Sequence, residues 1–313
     1  MFQTKASRLE IRHLAVLHEV ARWGTASAAA EHLGLTPSAI THRIREAERR
    51  LGVRLTLRVG SSMRLTEAGI RLVGAAEKVF DELTRAEIDA ARIGRGIGRV
   101  VRFGMGTYSF YNWLPDFKLH FETFHPDTKL EIVGEATHRP LDYLRDERVD
   151  ILLLPGHVFE RDVIAIPCFT DELVCVMSPG HGLAGRTHVE AVDLVAETHI
   201  TYSSEILLGF EYDSFFRPGG YYPKTLMNIA LPEAAIELVT AGLGISILSR
   251  WILTPRLRHR DLVAARLAEA GLPLPWNVVI RGKEQPGGEV EIIATRLAHW
   301  LADDSKRTRP TSV

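Results

Sequence analysis

The stretch between Gly24 and Gly52, TASAAAEHLGLTPSAITHRIREAERRL, constrains the fold more than any other part of the chain. Thr25 can cap a helix whose inward positions are Ala26, Ala29, Ala30 and Leu33. Alanines on that face let a neighbouring helix approach closely. Gly34 and Leu35 leave room only for a tight turn. Thr36 followed by Pro37 then starts a second helix, because proline at the first helical position needs no N–H. Ile40, Ile44, Ala47 and Leu51 form its apolar stripe, and Gly52 stops it. Upstream, Ile11, Leu14, Leu17 and Ala21 predict a further helix ending at Gly24. Short helix, tight turn, longer helix is the helix-turn-helix arrangement.

The longer helix turns Ser38, Thr41, His42, Arg45 and Arg49 away from its apolar stripe. Short hydrogen-bonding groups near the start of a recognition helix suit base edges, and cations suit guanine or phosphate. The segment VRLTLRVGSSMRL follows. It predicts two short strands around Gly60, Ser61 and Ser62, a wing carrying Arg54, Arg58 and Arg64. Thr25, Thr36, Pro37 and Arg43 complete the expected contact set for double-stranded DNA. Charge agrees. The chain carries a net charge of -1, yet residues 1 to 66 hold eleven Lys and Arg against five Glu. A basic head on an acidic body suits a polyanion-binding module.

Thr66 can cap a long helix reaching about Ile93. Leu72, Val79, Leu83, Ala86, Ala90 and Ile93 recur at coiled-coil spacing along it. Such a seam predicts a dimer with two recognition helices about one DNA turn apart. Residues 94 to 98, GRGIG, predict a linker.

Several segments together carry a family resemblance. TASAAAEHLGLTPSAITHRI resembles the DNA-binding motif of LysR-type transcriptional regulators, and RLGVRL and RLTEAG resemble that family's wing and linker-helix start. ELVCVMSPGHGLAG and ELVTAGLGISILSRW resemble two segments of its effector domain. The likeness runs from about residue 9 to 302. Pro37 departs from it, standing where the family often has glutamine, which shifts base contact toward Ser38 or His42. Gly182 stands where proline is usual. Within the family, SAITHR and HITYSSEILLGFEYDSFFRPGGYYPK resemble regulators of methionine biosynthesis, which would imply homocysteine as effector.

The rest of the chain alternates strands and helices. VVRFGM, KLEIVGEA and VDILLLP predict strands, with WLPDFKLHFETFHPD and RPLDYLRDER as helices between them. The expected fold is therefore an N-terminal all-α winged helix-turn-helix with a long linker helix. Behind it stands a C-terminal α/β effector domain of two lobes, which the resemblance implies is like periplasmic binding proteins. The expected limits are 1–66 for the DNA-binding domain, 67–98 for the dimerisation helix and hinge, 99–302 for the effector domain and 303–313 for a tail. Lobe one would be 99–165 plus 266–302, and lobe two 166–265.

A ligand in such a fold sits beyond the C-terminal ends of parallel strands, where helix N-termini can face an anion. Thr107, Tyr108 and Ser109 follow the first strand, and Thr137 and His138 the second. Thr201, Tyr202 and Ser203 follow a strand of lobe two, and Asn228 ends another. Each could instead cap a turn or face solvent. Hydroxyls at these strand ends would suit a small carboxylate or amino-acid-like effector.

Other chemistry finds little support. The thirteen histidines show no HExxH or similar spacing, and no GxSxG elbow is present. GRGIGR lacks the Lys-Ser/Thr of a phosphate loop. His120 and His125, beside phenylalanines on an amphipathic helix, read as surface or packing groups. The two cysteines, Cys168 and Cys175, are too few for a disulfide framework and read as buried inert thiols. Peroxide-sensing members of the resembled family keep a cysteine pair later in the lobe, where this chain has none. No run approaches membrane-spanning length, and MFQTKASRLE lacks an apolar signal core. The expectation is a cytoplasmic regulator without enzyme activity, metal or cofactor, assembled as a homodimer or homotetramer, with RNA polymerase as a further partner. Two rivals remain at this point: a ligand-binding enzyme or carrier with an incidental helical head, and an architectural DNA-binding protein indifferent to small molecules.

Overall fold

The computed structural model describes residues 7–94, 98–107, 111–202, 208–229 and 231–308. The chain divides into two compact units, Met1–Ile97 and Gly98–Val313.

The first unit opens with α1 (Ile11–Trp23), α2 (Ala26–Leu33) and α3 (Pro37–Leu51). A capping box starts α1: Glu10 accepts from the third helical N–H, and His13 Nδ1 accepts from Glu10 N at 2.9 Å. The buried face of α1 is His13, Val16, Leu17 and Val20. Ile11 and Ala21, expected inside, point outward. The face is rotated because His13 is fully enclosed beside Glu46 of α3, and Val16 and Val20 follow it inward. Thr25 accepts from Ala28 N and Thr36 from Ala39 N, so both threonines cap the helices they precede. Gly34 takes the left-handed conformation (φ 62°) that lets its N–H reach back to Ala30, closing the tight turn. Val16, Leu17, Val20, Ala29, Ala30, Ile40, Ile44, Ala47 and Leu55 make one core.

The wing is β1 (Thr56–Val59) paired antiparallel with β2 (Ser62–Leu65), Thr56 opposite Leu65 and Val59 opposite Ser62. Thr66 Oγ1 accepts from Gly69 N and starts α4 (Glu67–Gly94), a helix of 28 residues and about 42 Å. Gly69 is obligatory for close packing, because a Cβ there would lie 2.2 Å from Leu55 O. Past Ala76 the seam finds no cover: Val79, Leu83, Ala86, Ala90 and Ile93 are all exposed.

The second unit is built on a mixed sheet ordered β4-β3-β5-β12-β6-β11-β7. These are β3 (Val100–Met105), β4 (Lys129–Ile132), β5 (Ile151–Pro155), β6 (Val163–Met177), β7 (His188–Val189), β11 (Val263–Leu267) and β12 (Leu272–Arg281). Helices α5 (Leu114–Phe124) and α6 (Pro140–Arg145) lie between the first three strands, which run parallel. A separate parallel pair, β8 (Thr198–Thr201) and β9 (Thr225–Asn228), precedes α7 (Pro232–Thr240). β10 (Ser246–Ser249) and α8 (Arg250–His259) follow, and α9 (Glu289–Thr308) ends the fold.

The 15-residue β6 is the spine. Its first part pairs with β12 from Val163↔Arg281 to Leu173↔Leu272, and its last part pairs with β10 and β11. Strands β6 and β12 thus carry both crossings between the lobes. Arg266 and Leu267 of β11 pair in parallel with His188 and Val189 of β7. Trp276 stands fully buried at the crossing, its ring centroid 5.2 Å from Trp251 and 6.1 Å from Phe169. Among the described residues no helix is long and apolar enough to cross a membrane.

Candidate functional site: a cationic groove and an interlobe edge

In the first unit a groove runs between α3 and the wing. Thr36, Pro37, Ser38, Thr41, His42, Arg43, Arg45, Arg54 and Arg58 line it, together with Glu48 and Ser61. Nine of the twelve residues expected at DNA therefore share one concavity. Arg49 lies one turn beyond Arg45 on the same helix and is exposed, as is Arg64 on β2, but neither lines the groove. Thr25 also stays outside it, its hydroxyl committed to capping α2.

Each side chain has a structural cause for its position. Thr36 Oγ1 caps α3 and meets Ser38 Oγ at 2.9 Å, which leaves the first turn of α3 presenting hydroxyls. Thr41 Oγ1 donates back to Pro37 O at 3.0 Å, so its methyl is the group on offer. Arg58 Nε donates to Gly60 O at 3.1 Å, holding the wing tip in its two-residue turn. Arg43, Arg45, Arg49, Arg54 and Arg64 form no ion pair among the described residues. Cations concentrated on one face without acids to answer them attract a polyanion. Glu48 is the one acid in the groove, and it is occupied: Oε1 accepts from Leu55 N at 2.8 Å and Thr56 N at 3.2 Å. It ties the end of α3 to the wing, a residue that motif reading passed over.

A second charged group lies off the groove. Glu10, His13 and Glu46 place ligand-type atoms within 4.8 Å of one another. Arg50 already pairs with both carboxylates, at 2.8 Å to Glu10 and 2.5 Å to Glu46. Hydrogen bonds from His13 and Arg50 hold the Glu46 carboxyl down to about 2. With Nδ1 of His13 accepting from Glu10 N, the cluster is a helix-start lock whose ligand atoms are in use.

In the second unit, the C-terminal ends of β3, β4 and β5 deliver Thr107, the turn 134–137 and Gly156 to one sheet edge. Thr107 takes φ 64°, a left-handed conformation that costs a β-branched residue roughly 1–3 kcal/mol. It is fixed from both sides. Its N–H donates to Thr137 O at 3.3 Å, and Gly106 before it packs too tightly against Leu154 and Pro140 to accept a Cβ. Thr137 Oγ1 donates to Gly134 O at 2.8 Å, so this hydroxyl caps its own turn, and His138 is exposed. Tyr108, Ser109 and Ser203 lie outside the described residues.

In lobe two, Thr201 pairs with Asn228 across β8 and β9, and Tyr202 is buried just past the strand end. The Tyr202 hydroxyl hydrogen-bonds the carboxyl of Glu211. The segment holding Glu211 runs into a π-turn, Tyr212–Phe216, a distortion frequent at functional sites. Phe210 rests directly on Gly156, where a Cβ would meet its ring at 2.9 Å, and Gly156 O accepts from Asn277 Nδ2 at 2.8 Å. The segment leading into the π-turn therefore meets the C-terminal end of β5 at Phe210 and Gly156. Thr107 follows β3 beside Thr137, while Thr201 and Asn228 end β8 and β9 side by side.

Cys168 and Cys175 lie on β6, and burial pushes both thiols up, Cys168 to about 12. Neither is a ready thiolate. His120 and His125 pack against rings, at 4.9 Å from Phe124 and 5.2 Å from Phe121.

Residues 11–70 match the family described as bacterial regulatory helix-turn-helix protein, lysR family, and residues 94–301 match LysR substrate binding domain. The HTH-type transcriptional regulator MetR of Haemophilus influenzae is 30% identical over 281 residues, covering 90% of this chain and 91% of that protein. The regulator CfxR of Cupriavidus necator is 27% identical, covering 86% and 85%. A full-length CbnR complexed with its target DNA shares the fold with TM-score 0.69 at 20% identity, over 96% of this chain and all of that one. The regulatory domain of MetR from N. meningitidis gives TM-score 0.56 at 22% identity, over 66% of this chain and 95% of that domain.

Proposed function

The chain belongs to the LysR family of bacterial transcriptional regulators, and on that premise we propose that it grips two-fold-related DNA half-sites through the groove between α3 and the wing. It is a DNA-binding regulator with an effector domain, not an enzyme. The observation that carries the siting of DNA is the groove itself: cations without acid partners share one face with the hydroxyl-bearing start of a capped helix. Ser38 and His42 would read base edges, and Arg43, Arg45, Arg54 and Arg58 would meet guanine or phosphate. Arg49 and Arg64 flank the groove as further phosphate contacts.

The bare seam of α4 supports assembly as a dimer, with the tetramer as the family's larger form. Residues 1–66, 67–98 and 99–302 would then serve as DNA head, dimer helix and sensor. A small molecule at the interlobe edge, bordered by Thr107, Thr201, Tyr202 and Asn228, would favour one lobe closure and so alter how the dimer meets DNA and polymerase. It can do so only by binding one state better than the other. The likeness to MetR proteins supports a cytoplasmic role in methionine metabolism, with homocysteine as the first effector to try.

Replacing Arg45 and Arg49 together by Ala should weaken binding to any duplex at least tenfold. Replacing Arg58 by Ala should flatten the log Kd versus log salt slope by about 0.9 per subunit. Unchanged affinity and slope in both variants would place the DNA surface elsewhere.

A further inference from the structure

We infer that Glu211, with Tyr202, forms the subsite that receives a protonated amine of the effector. This rests on the reading above that a small molecule binds at the interlobe edge, and it names one chemical group that molecule must carry.

Glu211 is buried, and its Oε2 has no hydrogen-bond partner among the described residues. No described cation pairs with it. A buried carboxylate without a counter-charge is one of the costliest groups a fold can carry, so its presence calls for an explanation. Burial pushes the Glu211 carboxyl up to about 7, so near neutrality it sits between protonated and ionised until a cation arrives. Its position supplies the rest. Glu211 directly follows Phe210, the residue seated on Gly156 at the C-terminal end of β5. Its only described side-chain partner is the Tyr202 hydroxyl at the end of β8. The π-turn that begins at Tyr212 is where local helical geometry is given up. A buried carboxylate oxygen left without a donor, beside the contact of Phe210 with Gly156, marks a place for a polar guest. The carboxylate decides its sign: an ammonium group donates where Oε2 lacks a donor, and Tyr202 holds the other oxygen in place.

The experiment uses the full-length protein, its Glu211→Gln form and its Tyr202→Phe form, each checked for a cooperative thermal melt. The probes are the standard L-amino acids with L-homocysteine, and for each hit the matching acid lacking the amine. Thermal shift finds the hits and calorimetry gives Kd. We expect at least one amino acid to raise the melting temperature while its amine-free counterpart does not. Glu211→Gln should weaken that ligand about 10- to 100-fold, the range for a charged hydrogen bond. Tyr202→Phe should weaken it several-fold. If the amine-free acid binds as tightly, or Glu211→Gln keeps full affinity, the amine subsite is wrong while the interlobe effector site stands. If no probe of either kind shifts the wild-type protein, the amine subsite and the amino-acid-like effector fall together.

Discussion

Glu48 poses two opposing electrostatic demands that substitution can separate. Its carboxylate accepts from Leu55 N and Thr56 N, both buried, and it also puts a negative charge in the groove proposed for DNA. Glu48→Ala removes two charge-assisted hydrogen bonds and strands two buried donors, a loss of about 2–4 kcal/mol. The wing should loosen and DNA affinity should fall with stability. Glu48→Gln keeps an acceptor oxygen at the same place. It gives up only the charge assistance, about 1–2 kcal/mol in all. In return it removes the one acid lining the proposed DNA groove, worth about 0.5–1 kcal/mol at low salt for a solvated charge, or two- to fivefold in Kd. Glu48→Gln should therefore bind duplex DNA more tightly than wild type while melting at a slightly lower temperature. Fluorescence anisotropy on a labelled duplex, beside a thermal melt of each variant, reads both quantities. If Glu48→Gln weakens DNA binding as much as Glu48→Ala does, then Glu48 does not face DNA and the groove is misassigned.

Three further outcomes follow from packing and charge. Gly69→Ala drives a Cβ to 2.2 Å from Leu55 O, so it should cost at least about 2 kcal/mol and lower the melting temperature of the first unit. Leu83→Lys puts a charge in the uncovered seam of α4, so sedimentation should show the dimer dissociating while the melt of the second unit is unchanged. Desolvation holds buried His199 down at about 4. Its neutral form contributes stability above pH 6.5 that is lost as pH falls from 6.5 toward 4. Acid titration of His199→Asn, followed by urea melts, should show a shallower decline across that window.

The helical head was legible because each boundary has a chemical mark: Thr25 and Thr36 at helix starts, Gly24, Gly34 and Gly52 at helix ends. Its inner faces were less so. A hydrophobicity reading of α1 skips His13, whose burial beside Glu46 rotates the helix and leaves Ile11 outside. In the second unit, β6 runs unbroken through both lobes although Asp171 and Glu172 interrupt its apolar pattern. Asp171 is kept there by Ser249 and the Trp251 N–H, contacts that only tertiary structure provides. The strand-end rule pairs Thr201 with Asn228 and sets Thr107 beside Thr137, but it does not tell a capping hydroxyl such as that of Thr137 from one free to meet a ligand. Glu211 was missed because GFEYDSFF reads as an ordinary amphipathic turn. The signal available was an acid set among aromatics, where solvation is poorest.

The most direct test is selection of bound duplexes from a random library by the full-length protein at moderate salt, read by sequencing. The account predicts enrichment of a two-fold-related motif with half-sites about 10 base pairs apart, lost when Arg45 and Arg49 are alanine. Recovery of no motif above the unselected library would contradict it.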